Sequence, residues 1–144
     1  MSKICIVVAD GSRARVFTAD KPAGPLDEIE ALSNPEARLH EGDIVSDRSG
    51  HVMSATGGGH NVGGKDQAKG EVANRFAAEV CKRLEQGRIG NAFDKLYVMA
   101  SPGFLGLLRK HQSDALRCLI SDEIPKDFTR ETPDRIRAQL PEYL

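Results

Sequence analysis

Hydrophobic positions along the chain change period several times, and each change marks an element. Ile4 to Ala9 is continuously apolar and rich in β-branched residues, the pattern of a strand covered on both faces and central in a sheet. Asp10-Gly11 is a turn signal. The alternation that follows, Ala14, Val16 and Phe17 among Arg13 and Arg15, predicts a second strand closing a hairpin. Pro22, Gly24 and Pro25 force a loop, and Leu26 to Leu32 fits a third, edge strand with Asp27, Glu28 and Glu30 toward water, although a helical turn suits it nearly as well. Asn34-Pro35 looks like an N-cap with proline at the first helical position, opening a short helix through Ala37 and Leu39 to Gly42.

The pattern then dissolves. Ser46 to Gly70 holds seven glycines and almost no large apolar residue, so the segment at about 46–70 reads as a mobile glycine-rich loop, and a loop of that length in a compact domain is usually functional. Periodicity resumes at Val72, Phe76, Val80 and Leu84, with Ala73, Ala77 and Cys81 beside them and Asn74, Glu79, Lys82 and Arg83 opposite, which is one amphipathic helix. Lys95 to Ala100 predicts a strand. Ser101-Pro102 predicts a capped helix through Phe104, Leu105 and Leu108. A short helix around Asp114 to Cys118, a strand near Leu119 to Ile124 and a last helix capped by Thr132-Pro133 complete the order, βββ followed by αβαβα. No internal repeat or linker interrupts 1–144, which reads as one α/β domain. An antiparallel meander followed by alternating helices and strands is the arrangement of ribonuclease H-like three-layer folds, a mixed sheet flanked by helices.

Composition narrows the function classes. A chain of 144 residues with 40% apolar and 28% charged content can fold without disulfide or metal staples. A net charge of -1 gives no global basic field, so DNA is not an expected partner and any RNA must be met by a local patch. Cys5, Cys81 and Cys118 are odd in number and set among apolar residues, which suits buried hydrophobes in a reducing compartment. The apolar run after Lys3 is too short for an export signal or a membrane span; a cytoplasmic protein is expected.

Five motifs in order, ADGSRARVF (Ala9 to Phe17), VSDRSGH (Val45 to His51), NRFAAEV (Asn74 to Val80), SPGFLGLLR (Ser101 to Arg109) and KDFT (Lys126 to Thr129), resemble the bacterial host attachment protein family. That family in turn resembles the middle domain of archaeal and eukaryotic class I release factors. The resemblance covers nearly the whole chain and implies a ribonuclease H-like fold in which Gly57 to Gly64 stands where release factors carry a Gly-Gly-Gln loop. Here the stretch reads Gly57-Gly58-Gly59-His60 and Gly63-Gly64-Lys65, with Gln67 displaced, so no contiguous Gly-Gly-Gln exists. The implied role is a binding module on the ribosome or transfer RNA, acting through Arg48, Gly57, Gly58, Gly59, His60, Gly63, Gly64 and Lys65. Ester hydrolysis of peptidyl-transfer RNA, with His60 or Gln67 positioning water, and a protein interaction acting indirectly on attachment are the alternatives.

The residues themselves favour anion contact, or simply a flexible solvated loop, over catalysis. Arg48, His51, His60, Lys65 and Lys69 outnumber Asp47 and Asp66 around the glycines. Gly59 to Lys65 spells GxxxxGK, but Asp66 stands where a phosphate-binding loop needs Ser or Thr, so nucleotide hydrolysis is not expected. Asp10, Asp47, Glu71 and Asp127 are the carboxylates that two catalytic metal ions would need. Asp10 is better explained by its turn, Glu71 by a helix's first turn and Asp127 by a connection. His40, His51, His60 and His111 lack metal-ligand spacing. Ser12 and Ser101 lack an identifiable base. No metal or cofactor site is expected.

Overall fold

The computed structural model describes residues 3–37 and 58–144, with backbone alone over 58–69. Every residue of β1 (Ile4–Ala9) is buried, because the strand is paired on both edges and covered on both faces. β2 (Arg13–Ala19) runs antiparallel to β1, with Val7 opposite Val16, and β4 (Lys95–Ala100) runs parallel to it on the other side, with Val7 opposite Val98. β3 (Asp27–Ser33) lies antiparallel outside β2, and β5 (Ile120–Ile124) parallel outside β4, giving one mixed sheet in the order β3-β2-β1-β4-β5. β3 is the edge strand expected. Its pairing slips between Val16 and Phe17, where Glu30 and Glu28 are their partners, so Ile29 is an unopposed bulge residue and 60% exposed.

Strand alternation sorts the core into two halves. Cys5, Val7 and Ala9 face α1 (Gly58–Ile89), α2 (Pro102–His111) and α3 (Asp114–Leu119), and pack with Phe76, Val80, Leu84, Phe104, Leu108 and Leu116. Ile4, Ile6 and Val8 face the opposite side, where Phe17, Tyr97 and Met99 are covered by Leu26, by Ile136 of α4 (Pro133–Ala138), and by Leu140 and Leu144. The result is three layers, with the heavier helical layer on the α1 side. At about 1.5–3 kcal/mol for each large side chain, the stripe Val72, Phe76, Val80 and Leu84 is sufficient to fix α1 on the sheet.

Helix ends follow local chemistry. The Thr132 hydroxyl accepts from Arg135 N at 3.2 Å and caps α4, and the Ser113 hydroxyl does the same for α3 through Leu116 N at 3.0 Å. Ser101 occupies the N-cap of α2, as its sequence suggests, but its hydroxyl makes no capping bond; Pro102 at the first position lacks one of the orphan N–H groups. α1 ends in a Schellman turn: Ala92 N donates to Gly87 O at 2.8 Å and Asn91 N to Arg88 O at 3.1 Å, with Asn91 in the left-handed region at φ 59°. Residues 35–37 open the helical turn expected after Asn34; its continuation to Gly42 lies outside the described residues.

Two expectations are corrected. The glycine-rich stretch is not loop throughout, since α1 begins at Gly58 and the helix therefore starts well before the periodic residue Val72. The packed stripe already carries the nucleation cost, so each preceding residue adds one hydrogen bond against a glycine cost of about 1 kcal/mol relative to alanine. Cys118 is exposed, whereas Cys5 and Cys81 are buried, because Cys118 lies on the outer side of α3, away from Leu116.

Candidate functional site

The carboxyl end of β1 gathers the polar chemistry. Asp10 Oδ1 accepts from the backbone N–H groups of Ser12 at 2.8 Å and Arg13 at 2.9 Å, an Asx turn that carries β1 into β2. The turn role expected of Asp10 is therefore present. Its other oxygen has a partner the sequence did not reveal: Thr129 Oγ1 lies 3.1 Å from Asp10 Oδ2 and 2.7 Å from Asp127 Oδ1. Thr129 is buried and has one hydroxyl proton, so it serves one carboxylate at a time. Thr129 N also donates to Asp127 Oδ1 at 3.1 Å. Burial pushes the Asp127 carboxyl up, but the hydroxyl and backbone bonds from Thr129, the link to Asp10 and the charge of Arg130 outweigh it and hold the group below its ordinary value.

Arg15 holds the same connection from the side. It donates to the carbonyls of Thr129 at 3.1 Å and Glu131 at 2.6 Å, forms a forked pair with Glu28 at 2.8 and 3.1 Å, and lies over the Phe17 ring at 5.0 Å. The hydrogen bonds from Arg15 overcome partial burial and lower the Glu28 carboxyl. Asn34 ties this end of the sheet to α1. Its amide donates to Gly11 O at 3.1 Å and Val72 O at 3.4 Å, while its backbone N–H donates to Ser12 O at 2.9 Å. Arg75 of α1 pairs with Glu36 at 2.9 Å beside it.

Asp10 and Asp127 are thus brought together. Glu71 is exposed on α1, and Asp47 lies outside the described residues. Among the described residues no three His, Cys, Asp or Glu side chains stand as a group able to hold a metal ion. The carboxylates instead act as acceptors that lock the 127–131 connection onto the β1 turn.

The glycine-rich candidates take a different form from that expected. Arg48 and Gly57 lie outside the described residues, as do His40 and His51. Gly58, Gly59, His60, Gly63, Gly64, Lys65 and Gln67 occupy the first turns of α1. In a helix only the first four N–H groups lack an internal partner, so open backbone amides are confined to 58–61, and those of Gly63, Gly64 and Lys65 are engaged within α1. Positions 60, 63, 64 and 67 follow the i, i+3, i+4, i+7 spacing and share one side of the helix. No acidic residue stands in the first turn, so the helix itself places no carboxylate at the positive end of its dipole.

His111, and the backbone of Ser101, take part in structural contacts, and two of the three cysteines are buried. His111 Nε2 is 2.9 Å from Asn74 Oδ1, joining α2 to α1. Ser101 N donates to Ala9 O at 3.4 Å. Burial pushes the Cys5 thiol up to about 12 and the Cys81 thiol up to about 11, and Cys81 Sγ donates to Leu108 O at 3.3 Å, so neither supplies a thiolate near neutrality.

Residues 5–140 match the model of the family described as "Protein required for attachment to host cells". Comparison with curated proteins gives no match. No described helix is long and apolar enough to cross a membrane. The match runs from β1 through α4 and so includes the β1 turn, α1 and the Thr129 connection; the chain belongs to the family of proteins required for attachment to host cells.

Proposed function

We propose that the protein is a release-factor-like binding domain that engages ribosomal or transfer RNA in the cytoplasm through the amino-terminal turns of α1. The observation that carries this reading is the division of one 32-residue helix, whose second half is fixed to the sheet while its first turn opens on glycine amides with no acidic residue in that turn. Such an end favours phosphate, and glycine lets the ligand approach the backbone closely. Lys65 and Lys69 on the same helix outnumber Asp66 and leave residues 58–70 net positive. The strand order β3-β2-β1-β4-β5, with an antiparallel meander followed by parallel additions, is the one a ribonuclease H-like reading requires and supports that likeness.

Sedimentation with ribosomes at low and high salt tests the proposal. The protein co-sediments at low salt and is released as salt rises, and Lys65→Ala and Lys69→Ala each make the logarithmic salt slope shallower by about 0.7–0.9. No co-sedimentation at low salt refutes it. Release of a labelled peptide from stalled complexes separates binding from ester hydrolysis; if hydrolysis occurs, His60→Ala or Gln67→Ala abolishes it without removing binding.

The family description favours a second reading, a protein interaction that acts on attachment. On that reading a partner is captured equally well at low and high salt, and ribosomes are not.

A further inference from the structure

At the end of the sheet where β1 begins, a cleft of about 250 Å³ opens between α1 and the outer strands β2 and β3. Its deepest lining is apolar: Cys5, Val16, Leu84 and Phe93 are all buried residues of the core on the α1 side. Two features of its walls run against local preference. The bulge in β3 sets both Ile29 and Glu30 against Val16, so the two neighbours lie on the α1 side together. Glu30 reaches Arg83 of α1, and Ile29 lines the cleft while remaining 60% exposed. On the facing wall Gly87 stands inside a helix, where glycine is disfavoured. A Cβ there would meet Phe93 Cε1 at 2.8 Å, so glycine is what lets the ring that lines the cleft stand against the helix.

Arg83 braces the two walls. Its Nε donates to Glu30 Oε1 at 2.7 Å and its Nη2 to Glu30 Oε2 at 2.7 Å, a fork that ties helix to strand and leaves both charges matched at the mouth. Arg83 and Glu30 are the charged residues of the lining. Burial, reinforced by the Glu30 charge, pushes the Cys5 thiol up to about 12, so the floor is neutral as well. A charged molecule would therefore surrender its hydration to a site with no free counter-charge, whereas a neutral apolar one is not penalised. An apolar space of about 150 Å³ is enough for benzene, and this cleft is larger.

We propose that the cleft binds a neutral, mainly apolar ring compound of about the size of indole, seated on Val16, Leu84 and Phe93 with Ile29 as its outer wall. The bulge and the helical glycine then have a common purpose, which is to keep a preformed apolar site open. The inference stands apart from the RNA reading: it uses the packed end of α1, and either can fail without the other.

Amide NMR of the full chain near neutral pH tests it, with indole, benzoate and benzylamine as neutral, anionic and cationic ring compounds of similar size. Indole shifts the amides of Val16, Ile29, Leu84 and Phe93 saturably, and each charged compound binds at least about tenfold more weakly. Ile29→Ala, at an exposed position, trims the outer wall and weakens indole at least about threefold, and Ile29→Glu, which adds an unmatched charge there, at least about tenfold. The proposal is overturned if indole gives no saturable shift at those amides, if benzoate or benzylamine binds as tightly as indole, or if the folded Ile29→Ala and Ile29→Glu chains bind indole unchanged.

Discussion

The two halves of α1 obey different rules. From Val72 to Leu84 the helix is held by its stripe, with Phe76 2% exposed and its ring centroid 5.9 Å from that of Phe104. From Gly58 to Gly70 it is rich in the residue that favours helix least after proline. One half shows how packing makes a helix; the other shows a helix extended in a sequence that does not itself ask for one. On the proposed reading, this division lets a rigid support and a ligand-facing backbone share one element, and substitutions on either side should have opposite consequences.

The largest effect belongs to the packed half. Phe76→Ala leaves a cavity between α1, α2 and the sheet and lowers unfolding stability by about 3–5 kcal/mol in urea titrations. Next comes the connection that locks the neighbouring β1 turn. Thr129→Val removes the hydroxyl shared by Asp10 and Asp127 and costs about 1–3 kcal/mol. The same variant changes the acid limb. Asp127 is held below its ordinary value when folded, so its contribution is complete above that ordinary value and is lost as pH falls through the folded one. Without the hydroxyl the folded value moves up toward the ordinary one, and Thr129→Val shows a smaller loss of stability across that acid window than the native chain.

A pair of glycine substitutions sharpens the contrast. Nothing lies within 4 Å of a Cβ placed at Gly70, so Gly70→Ala stabilises α1 by about 1 kcal/mol. At Gly87 the same atom meets Phe93 Cε1 at 2.8 Å, and Phe93 is buried in the core. Gly87→Ala is therefore destabilising by about 1–3 kcal/mol despite alanine's better helix propensity. The smallest effect falls on the exposed Arg75–Glu36 pair, with side chains 58% and 54% accessible, where Arg75→Gln changes stability by less than about 1 kcal/mol.

Much of the fold was legible in the residues. The unbroken apolar run of β1, the fourfold stripe of α1 and the Thr132-Pro133 start of α4 each state their structure locally, because burial or capping is decided within a few positions. The beginning of α1 was not legible: its glycines argue for a loop, and helix there depends on the packed residues that follow. Ile29 gave no sign of its bulge, since register is settled against β2 rather than within β3. The link from Asp10 through Thr129 to Asp127 was also hidden. Asp10 and Asp127 each had a sufficient local explanation, and only the packing of the connection after β5 brings Thr129, which bonds both, to Asp10 across 119 residues.

Hydrogen exchange at the backbone amides of α1, measured with and without ribosomes at low salt, addresses the central claim most directly. The account predicts added protection at the amides of Gly58 to Asn61 and little change from Val72 onward. Unchanged exchange at Gly58 to Asn61 while ribosomes are bound, or protection confined to the packed half, would contradict it.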